Sequence, residues 1–127
     1  MITVFPVKDR EELKKIFSEF NLTVTDFSGA VVARFGEERL GVCLYEITAD
    51  QITILEISPI NDVMLADGIL RSALHIADFR GINKAYYKNE SLTELLSKLD
   101  FIKNPQENSL KIEKLHQSSC NCEKNNK

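Results

Sequence analysis

Residues 51–87, QITILEISPINDVMLADGILRSALHIADFRGINKAYY, constrain the fold more than any other stretch. Ile52 to Ile57 is an apolar run rich in β-branched side chains, the composition of a strand with at least one buried face. Pro59 lacks a backbone donor, and Asn61 and Asp62 favour irregular backbone. Leu65, Ile69, Leu70, Ala73, Leu74, Ile76 and Ala77 then recur at helical spacing until Gly81, where a helix can stop. Ile82 to Tyr87 reads as a second strand. Strand, loop, helix and strand in under forty residues is a βαβ unit, and its crossover requires two parallel strands in one sheet. The helix begins just past the carboxyl end of a strand, where unpaired amides and the helix dipole favour an anion such as phosphate.

The flanking segments supply the rest of a sheet and its cover. Ile2 to Val7 reads as a short edge strand, because Pro6 is tolerable only near an edge. Asp9 with Glu12 three residues on is a capping-box pattern, and Leu13, Ile16, Phe17 and Phe20 then form one apolar helical stripe. Residues 21–29 are a polar connection able to line a groove. Ala30 to Phe35 and Leu40 to Ile47 read as a hairpin about the turn Gly36-Glu37-Glu38-Arg39. After Tyr87, Ser91 and Glu94 repeat the capping-box spacing before a short helix bearing Leu92, Leu95, Leu96 and Leu99. Phe101-Ile102 opens a strand, and Leu110, Ile112 and Leu115 alternate as a last one. The expected order is β-α-β-β-β-α-β-α-β-β. The fold class is α/β (α+β): a mixed, mostly antiparallel central sheet with one parallel βαβ unit and helices on both faces.

A chain of 127 residues has room for one domain with a single core, here residues 1–115 followed by a polar tail, 116–127. A net charge of −3 gives no general attraction to nucleic acid or to an anionic membrane surface. No apolar run approaches the roughly 20 residues that span a bilayer. The start, MITVFPVKD, lacks signal-peptide features, so the cytoplasm is the expected location. Cys43 sits in an apolar run and reads as a small core residue. His116, Cys120 and Cys122 spell H-x-x-x-C-x-C, three ligands where a structural zinc site wants four at other spacings.

Two blocks carry a resemblance. ADGILRSAL is similar to the Q/R-x-x-G-x-G/A block that opens a helix in the GCN5-related N-acetyltransferase (GNAT) superfamily, with Gly68 on the first motif glycine. NESLTELLSKLDF resembles that family's N-x-x-A-x-x-L-Y-x-K-L-G-F, with Asn89, Leu95, Lys98, Leu99 and Phe101 in register. The chain departs from the pattern at Leu65 and Leu70 in the first block. In the second, Leu96 replaces a proton-donating tyrosine and Asp100 replaces a glycine.

The resemblance implies an acyl-CoA N-acyltransferase-like fold and acetyl-CoA as cosubstrate. It implies a donor site at Ile57, Ser58, Asp67, Gly68, Ile69, Leu70, Arg71 and Asn89, with Asp67 an unfavourable charge there unless it pairs with Arg71. Acetyl transfer from a thioester needs a base for the amine and an acid for the leaving sulfur. Glu56 is the candidate base, and Tyr86 and Tyr87 are candidates to replace the missing acid. The expected partner is a small-molecule amine, with no nucleic acid or membrane, and a homodimer is left open. Two other readings stand beside this one: a catalytically degenerate binding or interaction module of the same fold, and a metal- or thiol-responsive protein acting through its tail.

Overall fold

The computed structural model describes residues 1–113 and 115. Its elements follow the expected order: β1 (Ile2–Pro6), α1 (Arg10–Glu19), β2 (Ser28–Phe35), β3 (Glu38–Thr48), β4 (Gln51–Ser58), α2 (Val63–Phe79), β5 (Lys84–Tyr87), a 3₁₀ turn (Glu90–Leu92), α3 (Thr93–Lys98), β6 (Ile102–Asn104) and β7 (Ser109–Leu110). The strands form one sheet in the order β1-β2-β3-β4-β5-β7-β6. The β4–β5 pair is parallel and the other pairs are antiparallel. As Pro6 requires, β1 is an edge strand.

Helices cover both faces. Alternation along β2 sends Val31 and Ala33 to one side and Ala30 and Val32 to the other, and all four are fully buried. Val31 and Ala33 join Ile52, Ile54 and Ile57 of β4 under α2 and α3, whose Ile69, Leu70, Ala73, Leu74 and Leu96 complete the larger core. On the opposite face the α1 stripe, Leu13, Ile16 and Phe17, packs on Ala30, Val32, Val42 and Leu44. Each Val, Leu, Ile or Phe side chain buried this way stabilises the fold by about 2 kcal/mol relative to exposure.

Local signals acted as expected at some ends and not at others. Asp9 caps α1, its carboxylate accepting from the Glu11 amide at 3.1 Å. Glu12 does not close the capping box, because it pairs at 2.7 Å with Arg34 on β2. Gly81, with φ of +80°, ends α2 in the left-handed region that favours glycine.

Three expectations are corrected. α2 starts at Val63, so Gly68, in the block that the resemblance sets at the opening of the helix, lies in its second turn. The Ser91–Glu94 box does not form: Asn89 caps the turn instead, its Oδ1 accepting from the Ser91 amide at 2.9 Å. The last strand is only Ser109–Leu110, paired with Ala85 and Tyr86 of the four-residue β5. Beyond it the chain turns, with the Leu115 amide donating to Ile112 O, and Ile112 and Leu115 are buried without strand pairing. The alternation at 110 and 112 reflected burial, which a turn satisfies equally well.

His116, Cys120 and Cys122 lie outside the described residues. Among the described residues no group of three His, Cys, Asp or Glu side chains forms a metal cage, and no helix is long and apolar enough to cross a membrane.

Candidate functional site

The site begins with an irregularity in β4. Its register against β3 runs Ile54 to Tyr45 and then Glu56 to Leu44, which leaves Leu55 as an extra residue, a β-bulge. Ile54 and Ile57 therefore stay on the α2/α3 face, while Leu55 joins the α1 face. Glu56 lines the same cleft as Leu55. A regular strand would have separated the two by alternation.

The second ingredient is the end of the parallel ladder. The last β4–β5 register pair is Ile54 with Tyr87, followed by the Lys88 amide donating to Ile54 O at 3.0 Å. Residues 55–58 continue as strand, and Glu56, Ile57 and Ser58 have register partners on β3 only. The two strands thus part at their carboxyl ends. Across the parting, Asn89 Nδ2 donates to Glu56 Oε2 at 2.8 Å.

A cleft of about 420 Å3 opens there on the α1 face, lined by Phe20, Leu22, Thr23, Glu46, Leu55, Glu56, Lys88 and Asn89. The connection 21–29, expected to line a groove, does so through Leu22 and Thr23. Glu46, Leu55 and Lys88 were missed from sequence alone. The alternation Val42, Leu44, Glu46 places Glu46 on this face, and the doubled apolar step Ile54-Leu55 was the only written sign of the bulge.

The two tyrosines diverge as strand alternation demands. Tyr87 is 3% exposed in the larger core, its hydroxyl 3.0 Å from Thr93 Oγ1, on the face away from the cleft. The fold does not bring it to Glu56. Tyr86 is half-buried, occupies the opposite face of β5 and pairs with Thr53 of β4, so it shares a sheet face with the cleft. Leu96 is fully enclosed. Cys43 is also fully buried, and burial, reinforced by the charge of Glu56, pushes its thiol above the ordinary range. That holds it protonated and unreactive.

The expected anion cradle is not where the resemblance implied. The first turn of α2 is capped by Asp62, whose carboxylate accepts from the Leu65 amide at 3.2 Å. Asp67 pairs with Arg71 at 3.0 Å, and the Arg71 guanidinium also lies over the Phe101 ring, 5.2 Å from its centroid. Gly68 is exposed on the helix, while Ile69 and Leu70 are fully buried beneath it. Asp67 to Arg71 therefore do not fit a diphosphate. Ile57 and Ser58 lie past the last β4–β5 register pair, on the stretch of β4 that pairs with β3 alone.

No protein-family model matches the chain, and no curated protein sequence matches it. Solved structures do. A ribosomal-protein-alanine N-acetyltransferase from Brucella melitensis biovar Abortus 2308 superposes with a TM-score of 0.60 at 11% identity, over 78% of this chain and 90% of that one. A GNAT-family acetyltransferase from Elizabethkingia anophelis, solved with acetyl-CoA bound, gives 0.54 at 14% identity, over 78% and 72%. A transcriptional regulator from Bacillus halodurans C-125 gives 0.60 at 14% identity, over 83% and 95%. The fold is that of the GNAT acetyltransferases.

Proposed function

We propose that the chain is an N-acetyltransferase that moves an acetyl group from acetyl-CoA to a small amine held in the cleft beside Glu56. The observation that carries this reading is the parting of β4 and β5 with Glu56 fixed at its edge by Asn89. The donor, when bound, supplies an acyl carbon activated as a thioester and a thiolate leaving group. Its pantetheine arm suits the gap beside Ile57 and Ser58, whereas its diphosphate finds no cradle at Asp67 to Arg71.

The chain's own contributions are then specific. Glu56 accepts the proton that the ammonium must lose before nitrogen attacks, directly or through one water. Asn89 holds that carboxylate in one orientation, so less geometry is left to find in the transition state. Backbone amides at Ile57 and Ser58, beside the gap, are the candidate donors for the charge that develops on the carbonyl oxygen. Tyr86, on the same sheet face, is the remaining hydroxyl able to protonate the departing sulfur.

A second reading is favoured by one observation, the carboxylate of Asp62 at the helix mouth. It is a degenerate module that binds an amine without transferring anything, and a neighbour described as a transcriptional regulator has the same fold. Calorimetric titration of the purified chain with acetyl-CoA, then with acetyl-CoA and an amine, separates the two. Donor binding followed by release of free thiol supports the transferase, and amine binding with no donor binding supports the module.

A further inference from the structure

The cleft carries more charge than a base alone requires. Glu46 on β3 and Glu56 on β4 both line it and both are half-buried, while Lys88 stands exposed at the rim. Among the described residues Glu46 has no ion-pair partner, and Glu56 is engaged by the neutral amide of Asn89. Two partly desolvated carboxylates in one space repel each other unless cations join them. Phe20, Leu22 and Leu55 supply an apolar wall of the same cleft.

Strand geometry sets the spacing of the two acids. Leu44 is the register partner of Glu56, and Glu46 is two residues further along β3. Two residues of rise and one strand spacing put the Glu46 and Glu56 Cα atoms about 8 Å apart. That separation leaves room for one ammonium at each carboxylate, and a short aliphatic chain can join the two with its methylenes against Phe20, Leu22 and Leu55.

We infer that the acceptor is a short aliphatic diamine: one nitrogen reacts at Glu56, and Glu46 holds the other as a non-reacting ammonium. This rests on the transferase reading and names its substrate class. Glu46 is then a specificity-determining residue, touching the acceptor and not the reacting atoms. Discrimination between acceptors follows from the second ammonium, because the analogue lacking it leaves Glu46 unpaired.

Three four-carbon probes of equal reach isolate the charge: putrescine (two cations), butylamine (one) and γ-aminobutyrate (a zwitterion). Their binding to the full chain is measured by calorimetry without acetyl-CoA, so that failure of donor binding does not affect the result. Putrescine is expected to bind at least tenfold more tightly than butylamine, and γ-aminobutyrate more weakly than either. Glu46→Gln should remove the putrescine advantage, with unchanged thermal unfolding showing that the variant is folded. Equal affinity for putrescine and butylamine, or no effect of Glu46→Gln on their ratio, overturns the assignment. Tighter binding of γ-aminobutyrate also overturns it, in favour of a zwitterionic acceptor held at Lys88. Thiol release from acetyl-CoA with amines that carry no second cation, but none with putrescine, would sink the diamine and leave the transferase standing.

Discussion

Asn89 Nδ2 donates a 2.8 Å hydrogen bond to Glu56 Oε2 between residues 33 apart in sequence, and its own Oδ1 accepts from the Ser91 amide at 2.9 Å. One side chain thereby ties the turn after β5 to the bulged strand β4. The same amide that caps a turn also orients the candidate base.

Glu56→Gln should therefore lower kcat/KM by about 10²- to 10⁴-fold, the range for loss of a positioned base, while changing the unfolding midpoint little. Asn89→Ser separates Asn89's two roles. It keeps an oxygen able to cap the turn and loses the amide donor to Glu56 without adding a charge, so stability should hold within about 0.5 kcal/mol while activity falls tenfold or more. A fall in activity that merely tracked the loss of folded protein would show Asn89 to be structural only.

A tyrosine placed at position 96 should not supply a catalytic acid. Leu96 is fully buried between α3 and the sheet, and a larger polar side chain there overpacks the core. Leu96→Tyr is expected to cost about 1–3 kcal/mol in denaturant unfolding and to give no gain in thiol release. Tyr86→Phe, in contrast, should lower kcat at nearly unchanged stability.

The helix mouth gives a prediction of the opposite sign. Asp62→Ser keeps an N-cap oxygen for the Leu65 amide and removes the negative charge. If the donor's diphosphate approaches α2, acetyl-CoA should bind more tightly to this variant, by several-fold at low salt and less at high salt.

Alkaline stability follows from Cys43 and Tyr45. Burial raises the pKa of the Cys43 thiol, with the charge of Glu56 adding to it; burial also raises that of Tyr45, with Cys43 adding and Arg80 opposing. Above about pH 8.5 the unfolded chain releases the thiol proton while the native state keeps it. The native state then binds more protons, so stability is full below that pH and falls as pH rises, by about 1.4 kcal/mol per pH unit for Cys43 alone. Cys43→Ala should flatten this slope in urea titrations between pH 8 and 10, at the cost of a smaller core.

Much of the fold was legible because it is written in periodicity. The β-branched run at 52–57, the helical stripe that ends at Gly81 and the edge position of Pro6 each admit one reading. Asp100 shows why the second resembling block was informative despite its departures. Its φ of +60° is the left-handed conformation for which the pattern's glycine is suited, and the aspartate there is paired with Lys111 at 3.2 Å. The site was less legible. Whether Glu56 faces the α1 side depends on the bulge at Leu55, a register event between strands that no single strand encodes. The start of α2 was misplaced because Asp62, read as a loop residue, is the cap, while the glycine taken as the landmark lies within the helix. For Glu46 the alternation of β3 gave the face but not the role, since its significance comes from the neighbouring strand.

The most direct test is free-thiol release from acetyl-CoA by the wild-type chain and by Glu56→Gln, each with putrescine and, separately, with butylamine as acceptor. Steady, amine-dependent thiol release by the wild type and its loss in the variant, with both proteins equally folded, is the expected result. No release above the uncatalysed rate from the wild type with either amine, or equal release from wild type and variant, would contradict the assignment of Glu56 and the parted strands as a transferase site.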